Sequence, residues 1–220
     1  MGLKAKDGGG EPRELVPAGS YFGVVCGVYD IGTQAGGQYG PKRQMVVTWE
    51  LHKRKGPARN AAGNILTISN FYSLSFGSKS NLRKDVEAMN GSAFADGSEY
   101  DVEEMLGKAC RLQVVHEKKA DGSPRDAIGS FMPLDDDDTP PRGELDERYF
   151  EVTDHVVRHN DVPDWVPSWI AKRVRESAEM GGSKGTPAAS ASAAPANGRR
   201  TAPVPVGPAV ADGDDSDIPF

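Results

Sequence analysis

Five stretches of this chain alternate apolar and polar residues with period two, and one clear helical pattern interrupts them between the third and the fourth. Period two belongs to strands with one face buried, so the alternation confines the body to a mainly β fold. The first stretch, "SYFGVVCGVYDIG" (20–32), sets Phe22, Val24, Cys26 and Val28 in phase. In the second, "RQMVVTWEL" (43–51), Met45, Val47, Trp49 and Leu51 share a face, which makes core packing the expected role of Trp49. The third, "ILTISNFYSLSF" (65–76), opposes Leu66, Ile68, Tyr72 and Leu74 to Thr67, Ser69 and Phe71. The fourth, "ACRLQVVHE" (109–117), carries Leu112 and Val114 in phase, and the fifth is the shorter "DAIGSFMPL" (126–134).

The interruption is "SNLRKDVEAMNG". Ser80 stands in N-cap position, Leu82, Val86 and Met89 follow at i, i+4, i+7, and Asn90-Gly91 stops the run. "YDVEEMLGK" predicts a further short helical turn before the fourth strand. Strand, strand, strand, helix, strand, strand is the element order of the OB-fold, a five-stranded barrel that binds oligonucleotides on its strand 2–3 face and between its 1–2 and 4–5 loops. Such barrels also bind sugars and proteins, so the loops have to decide.

Nine of the fourteen basic side chains in residues 18–134 fall in three loops. Lys42 and Arg43 follow Tyr39 in the glycine-rich first loop; Lys53, Arg54, Lys55 and Arg59 lie in the second; Lys118, Lys119 and Arg125 lie between the fourth and fifth strands. Barrel geometry is expected to bring the first and last of these loops to one side of the binding face. Cations that track phosphates, with aromatic rings that stack on any base, suit sequence-tolerant binding of single strands. Phe71 is out of phase with its strand's core set, and Tyr39 sits where a loop can fold over a strand, so both rings are candidate platforms. The plainer readings are solvated loop cations and a surface or dimer-contact role for Phe71.

Other chemistry is poorly represented. Cys26 and Cys110 form no disulfide framework, which points to a reducing cytoplasm, and with His116, His155 and His159 they make no zinc spacing. Nucleophile elbow, P-loop and HExxH are all missing, so an enzyme, a metal site and a cofactor are not expected. Neither a signal peptide nor a run long enough to span a bilayer is read in the sequence.

Charge divides the 220 residues unevenly. Residues 18–134 carry a net +2, residues 135–180 a net −7, and the whole chain −6. The expected organisation is a disordered arm (1–17), the barrel (18–134), an acidic connector with an amphipathic helix (135–180), a Gly/Ala/Ser/Pro linker (181–211) and an acidic tip (212–220). In "VPDWVPSWIAKRVRESAEM" the helix is expected to be capped by Asp164 and to present Trp165, Trp169, Ile170 and Val174 as one stripe. That stripe would dock on the barrel or on a second subunit, which leaves a homo-oligomer open. As a flexible coil the linker reaches about 30 Å, enough for the tip to touch a partner while the barrel stays bound elsewhere.

The final "DGDDSDIPF" sets four aspartates before a bare Ile-Pro-Phe. This ending resembles the acidic tip of bacterial single-stranded DNA-binding proteins (SSBs). The stretches "YDIGTQ", "YGPKRQMVVTWEL", "SNLRKDVEAM", "LGKACRLQVVHE" and "PDWVPSWI", within residues 18–178, resemble a bacteriophage family of OB-fold single-stranded DNA-binding proteins. The resemblance implies that Phe220 enters an apolar pocket on a replication or repair protein, backed by Ile218 and Pro219, while Asp214, Asp215 and Asp217 face a basic rim. It further implies a non-enzymatic protein that coats single-stranded DNA in phage replication or recombination. The rival expectation is an OB-fold adaptor that binds proteins and uses an SSB-like tail to capture replication enzymes. A third is an RNA-binding OB protein.

Overall fold

Seven strands, rather than five, form in the computed structural model, which describes residues 14–36, 40–119 and 121–181. In chain order they are β1 (Gly19–Gln34), β2 (Lys42–Lys53), β3 (Gly56–Pro57), β4 (Thr67–Ser73), β5 (Ala109–Lys118), β6 (Pro124–Met132) and β7 (Arg148–Phe150). Helix α1 (Asn81–Asn90) and a 3₁₀ turn (Val102–Met105) join β4 to β5; α2 (Asp154–His159) and α3 (Ser168–Arg175) follow β7. The sheet runs β3-β2-β1-β5-β6, with β4 also paired to β2 and β7 to β1. All ladders are antiparallel except β1–β7. The expected barrel is not closed: among the described residues no ladder joins β4 to β6.

Local chemistry builds α1 as its sequence predicts. The Ser80 hydroxyl accepts from Arg83 N at 3.1 Å, and Gly91 ends the helix at φ 67°, a conformation that suits glycine. Leu82, Val86 and Met89 turn into the core between the helix and the sheet, each contributing about 1.5–3 kcal/mol by burial. There they meet Met45, Val47, Trp49 and Leu51 of β2 and Cys110, Leu112 and Val114 of β5, all at most 1% exposed.

β1 departs from its expected phase. A bulge between Val25 and Gly27 adds one residue to its ladder with β2, so Tyr21, Val25 and Val28 face the main core while Phe22, Val24 and Cys26 fall outside that set. Leu74 also leaves the expected set: it follows the last residue of β4 and is 42% exposed.

Residues 148–180, expected as an appendage, build a second core on the other face of the sheet. After β5 leaves the edge of β1 at Val24, β7 takes that edge over from Gly27 to Tyr29. Phe150, Val152, Val156, Val162, Val166, Ile170 and Val174 then bury Tyr29, Ile31 and Val46. Asp164 is not the cap of α3. Pro167 holds the N-cap position without a side-chain bond, and Trp165 precedes the helix in a turn closed by Val166 N to Pro163 O at 3.0 Å. The end of this segment is tied to β1 by Ala178 N to Thr33 O (2.9 Å) and by Glu179, which accepts from Thr33 N and Oγ1 at 2.7 and 2.6 Å. No helix among the described residues is long and apolar enough to cross a membrane.

Candidate nucleic-acid interface

The gap between β4 and β6 is a groove of about 1210 Å³. One wall is β4 with the residues leading into it, from Ile65 to Phe71; the other is the end of β5 and the start of β6, including Glu117 and Arg125 to Ile128. Trp169, Lys172, Arg173 and Glu176 of the α3 segment also line it, with Glu14, Val16 and Lys119. The β4 ladder with β2 puts Phe71 opposite Val46, Ser69 opposite Thr48 and Thr67 opposite Glu50, on the face away from the main core. The Phe71 ring is 46% exposed, as expected for its out-of-phase position.

Phe71 is not alone. Trp169 is 45% exposed and meets it edge-on, with ring centroids 6.0 Å apart and planes at 61°. Trp165, 40% exposed, packs on Tyr29 and Phe150 at 6.5 and 6.3 Å, with the Arg148 guanidinium 5.6 Å from its ring. Because Tyr29 pairs with Val46 and Val46 with Phe71, the two tryptophans attach to one row across β1, β2 and β4. The expected stripe divides in two. Ile170 and Val174 are buried, whereas Trp165 and Trp169 keep open faces.

The predicted cations differ in how far their side chains are engaged. Arg43 binds Asp30, with Nε to Oδ2 at 3.2 Å, and that hydrogen bond holds the guanidinium's pKa above its ordinary value. Lys53 donates to Ser20 O at 3.1 Å and caps the Tyr21 ring at 3.5 Å. Arg59 pairs with Glu144 at 2.7 Å, and Arg125 with Glu117 at 2.6 Å. Arg54 lies in the field of Asp138. Among the described residues Lys55, Lys118 and Lys119 carry no salt bridge, and Lys119 lines the groove. Lys42 opens β2, beside the first loop. Tyr39 and the tip residues Asp214, Asp215, Asp217, Ile218, Pro219 and Phe220 lie outside the described residues, as do the linker from 182 and the first thirteen residues.

Register corrects the expected convergence of loops. Gln34 pairs with Lys42 at one end of β1, while Gly19 pairs with Val114 at the other, so the β5–β6 hairpin projects past the Gly19 end. That hairpin shares its end of the sheet with the Lys53–Lys55 turn, not with the first loop. The groove is also charge-balanced: Lys119, Arg125, Lys172 and Arg173 face Glu14, Glu117, Asp126 and Glu176. Two of its cations, Lys119 and Arg173, have no salt bridge among the described residues.

The acidic connector occupies cations rather than hanging free. Arg111 binds both Asp135 and Asp138, which holds the Asp138 carboxyl below its ordinary value. Glu50, fully buried, accepts from Glu144 N at 3.0 Å and Leu145 N at 2.8 Å, and so fixes the connector beside Val24. His52 Nε2 is 2.8 Å from Glu50 Oε1 but off the hydrogen-bond axis.

Sequence reasoning missed Trp169, Lys172 and Arg173 as groove residues, although their spacing carried the signal. Positions i, i+3 and i+4 share one helix face, while Ile170 and Val174 share another. No three acidic, histidine or cysteine side chains among the described residues form a group fit for a metal ion. No protein-family model matches the chain, and no curated protein matches it.

Proposed function

We propose that this chain binds single-stranded DNA in the β4–β6 groove and recruits replication or repair proteins through its acidic Ile-Pro-Phe tip. The observation that carries the reading is the groove itself, an open cleft beside the exposed Phe71 ring, with Lys119, which carries no salt bridge among the described residues, at its hairpin side. A base stacked on Phe71 and phosphates met by mobile cations need an extended, unpaired strand, which duplex DNA does not offer. The fold reading behind it is an OB-type barrel left open at its last seam. The β1–β2, β2–β4, β1–β5 and β5–β6 ladders and the helix between β4 and β5 support it, and β4 and β6 approach within 8 Å between Cα atoms. Two buried, unpaired cysteines suit a reducing cytoplasm.

The test is fluorescence anisotropy of the full chain with labelled oligo-dT, against duplex DNA of equal length, at two salt concentrations. Binding that duplex does not displace is expected. If Lys119 and Arg173 each neutralise one phosphate, the log–log salt slope is about −1.4, since each single-strand contact contributes roughly −0.7. One observation favours a second reading. The facing edges of β4 and β6 carry no ladder, and an extended peptide can add to such an edge. Failure to bind oligo-dT would transfer the groove to that adaptor role.

A further inference from the structure

We infer that helix α3 is part of the DNA site, with Trp169 and Phe71 forming a two-ring corner, an aromatic clamp that holds one unstacked base against it. The inference rests on the single-strand reading of the groove and names what that site grips. Trp169 is the exposed exception on a helix whose neighbouring residues, Ile170, Ala171 and Val174, are at most 5% exposed. Burying its ring inside the second core would have been favourable, yet the chain leaves it at the lip of the groove, edge-on to Phe71. Trp169 is 45% exposed even with this edge-on contact, so part of its ring stays open to a further flat ring. The adjoining charges suit the same ligand. Lys172 and Arg173 lie on the Trp169 face of α3 and line the groove, and among the described residues Lys172 pairs with Glu176 alone, at 3.9 Å on the surface, where such a pair is worth little. Arg173 has no salt bridge among the described residues, although its carbonyl anchors the helix by accepting from Gln34 Nε2 at 3.0 Å. The β4 wall from Ile65 to Phe71 spans about 23 Å, so the groove suits a short site near the low end of the ~4–16 nucleotides an OB domain covers.

The clamp separates a base from its backbone, and so does its test. Full-length chain is titrated with oligo-dT and with an abasic oligomer of equal length and charge, by anisotropy and by intrinsic tryptophan fluorescence. Trp49 is buried, which leaves Trp165 and Trp169 to report. The abasic strand should bind at least about 5- to 150-fold more weakly, the range of one stacked base. Trp169→Ala should lower the oligo-dT affinity by a similar factor and leave the abasic affinity unchanged. Trp169→Phe should keep most of the affinity but lose most of the quenching, whereas Trp165→Phe should keep both. Circular dichroism checks that each variant is folded. If wild type binds oligo-dT yet Trp169→Ala binds it equally well, the clamp is overturned and the groove reading stands. If wild type binds no oligo-dT at all, the groove reading falls and takes the clamp with it.

Discussion

Arg59 ends on the carboxylate of Glu144, 2.7 Å away, so a cation expected to meet DNA is held by the acidic connector instead. Both side chains are about half exposed, and the bond therefore contributes little to stability. Its removal should show in binding. Glu144→Gln frees Arg59, and oligo-dT affinity should rise about two- to fivefold at low salt, with a salt slope steeper by about 0.7. An unchanged slope would place Arg59 beyond reach of the strand.

Glu50 should matter to the fold, not to binding. Its buried carboxylate serves two connector N–H groups, and Glu50→Ala would leave both without a partner and open a cavity beside His52. A loss of about 3–5 kcal/mol is expected in urea unfolding. Glu50→Gln keeps one acceptor oxygen and should lose less.

Gly32 tests the attachment of the final segment. Its φ is +70°, and an added Cβ would sit 2.7 Å from Ser177 Cβ, where the chain crosses back over β1. Gly32→Ala should destabilise the chain by about 1–3 kcal/mol and raise amide exchange at Ala178 more than at α1.

Acid should loosen the same attachment. Burial opposes charge on Glu179, but the Thr33 hydrogen bonds outweigh it and hold the carboxyl below its ordinary 4.5. A folded-state pKa below the unfolded one stabilises above the ordinary value and is lost as pH falls through the folded value. Between neutrality and about pH 3, wild type should therefore lose more Tm than Glu179→Gln. Equal slopes for the two would remove Glu179 from the acid transition.

Cysteine chemistry reports on the main core, through Cys110, and on β1, through Cys26. Burial pushes the Cys26 and Cys110 thiols up to about 12 each. Neither should react with a thiol reagent in the folded chain near neutral pH, and two equivalents should appear on denaturation. Fast reaction of one thiol in buffer alone would mean that its strand opens locally.

The strands of the main core were legible because each repeats a local rule: β2 and β5 set their main-core residues at every second position, and α1 has both its cap and its stop. β1 was misread because a bulge leaves no mark in an alternating apolar run. "GVVCGV" permits either phase, and only pairing with β2 chooses. β7 was missed because three residues carry no period, and their place on β1 depends on β5 having left that edge. Phe71 was legible from phase alone. Trp169 was not, because counting apolar residues grouped it with Ile170 and Val174, whereas its angle around α3 groups it with Lys172 and Arg173. Which cations are spent on partners depends on long-range pairs such as Arg43–Asp30 and Arg59–Glu144, and loop composition does not record those.

β1 also sets a timetable. It is made early, yet its edges are completed by β2, then β5, and finally β7, whose last residue is Phe150. At ~5–20 residues per second a ribosome takes about 6–23 s to go from Gln34 to Phe150. Throughout that interval the longest of the described strands has an incomplete edge, the exposure that invites pairing with another nascent chain. The arrangement that gives the finished sheet its two cores thus makes the emerging polypeptide depend on dilution or on a chaperone until its seventh strand arrives.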